Sequence, residues 1–216
     1  MSFLVYSAVC KCSEYIHHTI YATPIRLAEE DVDLTEEASA LAKQMGITRP
    51  ITVWNKASHA CSAFGTKIAI DPSTSDGVRS FFLARELTHI KYRDNLWTVV
   101  VVLTTSIAFA ILLIPSVGFL TADVLGYLLG IFVFISYRSF VNMRAEKTAM
   151  KYITPEQRAG AVRHFKLLRT ENLSWRNDPE VSIFDRIYRK SLIRKDGESR
   201  FAPTEPTIAS RIRWLK

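Results

Sequence analysis

The sequence predicts an α+β domain interrupted in its middle by two apolar helices, and three observations carry that prediction. From Leu96 to Tyr137 the chain holds 42 residues with a single charge, Asp123. Ahead of this region stand two short alternating segments that read as strands beside two stretches of helix-forming sequence. Behind it comes a basic region with its own helix-start signals. A length of 216 residues suits one domain with an insertion. A hydrophobic content of 48% and only 3 cysteines exclude a disordered chain and a disulfide scaffold.

In chain order, residues 1–32 form an N-terminal segment. Its opening MSFLVYSAVCKC has an apolar stretch of about ten residues and no basic lead, too short to span and unlike a signal peptide, which leaves an interfacial or packed role. Residues 33–95 are the first part of the domain. Asp33 with Glu36 has capping-box spacing and Gly46 is a stop, predicting a helix over 34–45. Ile51 to Trp54 and Lys67 to Asp71 alternate apolar and polar residues and predict two strands. Asp76 to Arg93 reads as one long helix, with Phe82, Leu83, Leu87 and Ile90 at helical spacing, running almost directly into the apolar region.

Residues 96–140 are a hairpin of two candidate membrane spans. Leu96 to Leu113 is an uncharged run of 18 residues. At about 1.5 Å per residue it crosses most of a hydrocarbon core of about 30 Å. Pro115, Ser116, Gly118, Thr121 and Asp123 supply turn chemistry, and Val124 to Phe140, broken only by Arg138, is a second, shorter span. Lys91, Arg93, Arg138 and Arg144 flank the hairpin, whereas the turn carries no Lys or Arg. The positive-inside rule therefore puts the polar parts on the cytoplasmic or an equivalent side. The competing reading, a hairpin buried in a soluble core, is disfavoured because uncharged runs this long are rare there.

Residues 141–216 are the second part of the domain. Thr154, Pro155 and Gln157 announce a helix, and shorter helices are predicted near 182–193 and 206–215, around a polar loop at Lys195 and Asp196. The net charge of +7 is concentrated here: residues 138–216 carry 18 Lys and Arg against 9 Asp and Glu, so the remainder is −2. The excess suits a solvated face or anionic lipid headgroups. No nucleic-acid module or Gly-aromatic motif accompanies it, and no nucleic-acid partner is expected.

The chemistry-bearing pattern is Arg85-Glu86-Leu87-Thr88-His89, one residue away from H-E-x-x-H, in which two His on one helix face bind zinc and the Glu is general base. Upstream lies Ser62-Ala63-Phe64-Gly65, followed by a strand; downstream, beyond the hairpin, lie Arg144-Ala145-Glu146-Lys147-Thr148-Ala149-Met150, then Thr204-Glu205-Pro206 and Arg211-Ile212. In this order and spacing, over most of residues 33–216, the chain resembles the HtpX and CAAX prenyl protease type of membrane zinc metallopeptidase, a gluzincin family. The resemblance implies a zincin-like domain with Glu86 as general base, and His89 and Glu146 as zinc ligands. It also implies a peptide-binding edge at Ser62, Ala63, Phe64 and Gly65 with the strand Lys67 to Asp71.

Three departures oppose catalysis. Arg85 stands where the first ligand His belongs, and a guanidinium has no lone pair to donate. At about 4 Å and an effective dielectric near 20, its charge costs a 2+ ion about 8 kcal/mol. Met150 replaces the family's Asp after the third ligand, and Glu205 replaces the His of its T-H-P motif. The expectation is a catalytically impaired homologue that holds no zinc and binds a membrane protein or peptide, with Arg85 pairing with Glu146 or Glu86 in the metal's place. Two alternatives stay open: an active zinc endopeptidase cleaving membrane-associated proteins, its metal site rescued by His59 or Cys61, and a membrane scaffold without a substrate groove. Cys10 and Cys12 read as reduced, packed thiols, His17 and His18 do not make a metal pair, and His164 is expected in solvent.

Overall fold

The computed structural model describes residues 30–55, 62–71, 74–200 and 202–216. The expectations for the N-terminal segment with Cys10, Cys12, His17 and His18, and for His59 and Cys61, lie outside the described residues. The chain is mostly helical with one small mixed sheet, a coarse α+β arrangement.

Helix α1 spans Val32–Gln44. Its cap is Asp31, whose carboxylate accepts from the Leu34 amide at 2.9 Å, and not the expected Asp33. Asp33 sits in the first turn, where a negative charge faces the positive end of the helix dipole. Strands β1 (Thr52–Asn55), β2 (Ser62–Phe64) and β3 (Lys67–Ile70) form a sheet of order β1-β3-β2, with β1 parallel and β2 antiparallel to β3. The expectation that Lys67 to Asp71 is an edge is therefore corrected. Gly65, at φ +60°, turns Ser62–Phe64 back onto β3 and makes β3 the central strand. The edge positions belong to β1, bridged by Glu30 at Trp54, and to β2. Val53, Ile68 and Ile70 are fully buried in one core with Leu34 and Ala38 of α1 and Leu83, Leu87 and Ile90 of the next helix.

That helix, α2, spans Asp76–Tyr92. It does not run straight into the hairpin: Arg93 adopts a left-handed conformation at φ 53°, and a new helix α3, Asp94–Val117, begins at a changed angle. Helix α3 continues through Pro115, and α4, Phe119–Ala149, follows after Gly118 alone, at φ +77°. The predicted turn residues Pro115, Ser116, Thr121 and Asp123 are thus helical, and the second helix, at 31 residues, is the longer of the two. One glycine with positive φ suffices to reverse the chain, so the flanking residues stay in the helices. Gly126 and Gly130 permit the close approach. A Cβ at Gly126 would stand 2.9 Å from the Ala110 Cβ, and one at Gly130 would stand 2.3 Å from the Ser106 Oγ.

Both α3 and α4 are long and apolar enough to cross a membrane, and in their most apolar windows only 6% and 22% of residues are buried. Their apolar surface is turned outward, as at Leu112, Leu120 and Phe132, and does not form the core of the domain.

Helix α5, Pro155–Asn177, starts at the predicted capping box of Thr154 and Gln157. It packs on α2 where Gly77 and Gly160 meet, and Val78, Phe81, Ala149, Ala161 and Phe165 join Ile208 and Leu215 in a second core. His164 is not in solvent: its ring stands edge-on to Phe82 and Phe165 and is half-buried, and burial, its largest influence, pushes its pKa down. Helix α6 spans Ile183–Leu192 and α7 spans Ile208–Leu215, the latter capped by Thr207 and so starting two residues later than predicted.

Candidate functional site

Three elements meet at the middle of α2. The helix presents Arg85, Glu86 and His89, all buried. The lower turns of α4 bring Asn142 and Glu146, and the segment leading into α7 brings Glu205 and Arg211. Glu198 fixes that segment by accepting from the Ile208 and Ala209 amides at 2.8 and 2.7 Å, a carboxylate at a helix N-terminus. Asn142 holds it from the other side, donating to the Thr204 carbonyl at 2.8 Å and to Glu205 at 3.2 Å.

The guanidinium of Arg85 is turned into the site. Its Nη1 donates to Glu86 Oε1 at 3.1 Å and its Nη2 to both oxygens of Glu205 at 2.8 and 3.0 Å. Its Nε stands 3.6 Å from Glu146 Oε1, an ion pair without a hydrogen bond. The expected hydrogen bond to Glu146 belongs instead to Arg211, whose Nε reaches both Glu146 oxygens at 2.9 and 3.0 Å and whose Nη2 also donates to Glu205. Two guanidiniums therefore interleave with three carboxylates. Burial works against the charge on Arg85, yet Glu86, Glu205 and Glu146 outweigh it and raise its pKa further. Burial likewise pushes the Glu205 carboxyl up, and Arg85 and Arg211 override it to hold that carboxyl below the usual range.

One turn along α2, His89 is held differently. Its Nδ1 lies 2.7 Å from Asp94 Oδ2, and the other Asp94 oxygen accepts from Arg144, which also stacks on Tyr92 at 4.2 Å. An ionised carboxylate can only accept, so Nδ1 is the donor in that contact. Nε2 is buried and has no hydrogen-bond partner among the described residues. His89 also lines an open cleft of about 500 Å³, with Ala63 of β2, Gly65 of the following turn, Ile90, Arg93, Asn95, Leu96 and Val99.

The predicted site residues thus divide. Glu86 and Glu146 meet around Arg85, and His89 lies on the same helix with its own carboxylate partner. The Ala63 carbonyl of β2 accepts from Asn95 Nδ2 at 2.8 Å, and Asn95 in turn accepts from Arg138 at 2.8 Å. A strand added to β2 has to displace Asn95 to use that carbonyl.

The described carboxylates around Arg85 are already engaged by cations. Glu146 spends both oxygens on Arg211 and Glu86 binds Arg85, so a divalent cation there meets two guanidiniums before it meets a free donor. Among the described residues, no three His, Cys, Asp or Glu side chains converge as donors for a metal.

The pairing of Arg211 with Glu146 and the Asp94–His89 contact are not apparent in the one-dimensional pattern. One signal was available: two positions at which the resemblance expects His carry instead side chains of opposite charge, Arg85 and Glu205. Compared with protein-family models, curated proteins and solved structures, the chain matches none.

Proposed function

We propose that this chain is a membrane-anchored, non-catalytic relative of the zincin-type metallopeptidases, acting as a binding or regulatory partner for a membrane protein or peptide, with its polar parts on the cytoplasmic or an equivalent side. The observation that carries the reading is Arg85. Where the resemblance calls for a ligand, a buried guanidinium forks onto Glu205 and Glu86, and Arg211 closes Glu146. The helix and the two segments beyond the hairpin are held together by charge, the task a bound metal performs in a zinc-dependent fold. The outward apolar surface of α3 and α4 supports the membrane placement.

A second reading, an active endopeptidase with Glu86 as base, draws on one observation: the buried Nε2 of His89, which has no partner among the described residues, is the atom that a metal-binding His offers. Metal analysis and a peptidase assay with and without chelator on the full chain separate the two. The proposal expects neither stoichiometric zinc nor chelator-sensitive cleavage. Stoichiometric zinc that is lost in His89→Ala, together with chelator-sensitive cleavage, overturns it. Crosslinking of an extended peptide at β2 distinguishes a binding protein from a scaffold without a groove.

A further inference from the structure

We infer that α6 is an interfacial helix that lays its apolar face into an anionic bilayer surface, a contact separate from the hairpin; this rests on the membrane reading above. Ile183, Phe184, Ile187 and Tyr188 are 72%, 85%, 63% and 59% exposed, and no residue of the helix is buried. At about 100° per residue these four fall within an arc of about 140°. They are not bared by fraying. The opposite face is bonded to the domain: Arg189 donates to the Trp175 carbonyl at 3.0 Å and to Asp178 at 2.9 Å, and Arg186 donates to the Pro179 carbonyl at 2.9 Å. The polar side is anchored and the apolar side is held outward.

Charge selects the occupant. Lys190, Arg194, Lys195 and Arg200 are exposed on or just beyond the helix and outnumber the exposed acids there, Asp185 and Asp196, while Glu198 is buried on the α7 amides. A second copy of the chain would bring the same positive rim against this one, while an anionic lipid surface complements it. Two spans return the chain to the side it left, so α6 shares its side of the bilayer with α2. A helix with a strongly apolar face and Lys and Arg around it sinks that face to the level of the headgroups.

The experiment places p-benzoylphenylalanine, one site at a time, at Phe184, at Asp185 on the polar side of α6, and at Leu112 in the hairpin. The full chain is reconstituted in phosphatidylcholine vesicles with and without phosphatidylglycerol. On illumination, Phe184 and Leu112 are expected to give lipid adducts, several-fold above Asp185, with the Phe184 yield rising with phosphatidylglycerol and falling with salt while Leu112 stays constant. Deuterium exchange of the amides of residues 183–192 slows in the same vesicles. Lipid adducts at Leu112 with none at Phe184 overturn the inference and leave the membrane reading standing. Absence at both sites removes the membrane reading itself. Adducts from Phe184 to a second copy, or to another part of the same chain, identify a different occupant and also overturn it.

Discussion

Arg85 and His89 lie four residues apart on one face of α2, both buried, and the fold treats them in opposite ways. Around Arg85 the fold has assembled a closed set of charges drawn from three parts of the chain. Around His89 it has supplied a carboxylate on one nitrogen and, among the described residues, no partner for the other. The first arrangement serves cohesion, since removing a member leaves a buried charge alone. The second orients a buried imidazole in the wall of a cleft and contributes less to cohesion.

The largest test of this contrast is Arg211→Ala, which takes from Glu146 its hydrogen-bonded partner and leaves only the Arg85 Nε at 3.6 Å. Breaking a buried pair from one side is expected to cost about 3–5 kcal/mol, read as a large fall in thermal midpoint of the full chain in detergent. If Arg211→Ala melts with the parent, the cluster does not hold the fold together. Arg85→Met comes next, with a loss of about 2–4 kcal/mol because Glu205 is one-third exposed and can turn to water while Glu86 cannot. On the His89 side, His89→Leu is expected to cost about 1 kcal/mol or less, since it forfeits a single hydrogen bond and Asp94 keeps Arg144. A loss as large as that of Arg85→Met would erase the distinction between the two positions.

Acid sharpens it further. The folded Glu205 carboxyl titrates below the ordinary glutamate value of 4.5, so its contribution is present above that pH and is lost as pH falls through the lower folded value. The stability gap between the parent and Glu205→Gln is therefore expected to be flat from neutral pH to about 5 and to close on further acidification. A gap that instead widened in acid would place the carboxyl on the wrong side of its partners. A contact far from both positions sets the scale: Asp31→Ala removes the α1 cap and should cost about 1 kcal/mol, by denaturant unfolding.

Much of the scaffold was legible because it follows from local rules. The Thr154–Gln157 box started α5 where expected, since both halves of that motif lie within one turn. The two apolar helices were visible for a similar reason, as composition over some 20 residues is a strong signal. The misreadings came where one local rule had two solutions. The cap of α1 was read at Asp33, and it falls to Asp31 because the Asp31 side chain meets the Leu34 amide. The hairpin turn contained several turn formers, and Gly118 alone was enough. Strand order was beyond local reach, since whether Lys67–Ile70 is an edge depends on what the Gly65 turn folds onto it.

The same division runs through the site. Sequence by itself determined that a cation stands at position 85 beside Glu86 and one turn before His89, and that an apolar hairpin parts them from Glu146, because these are matters of residue type and spacing. Only the tertiary structure decided who pairs with whom. Arg85 and Glu205 are 120 positions apart and Arg211 and Glu146 are 65 apart. Many charges of either sign are available to each, and the choice among them is made by which backbones the two cores bring within reach of a guanidinium.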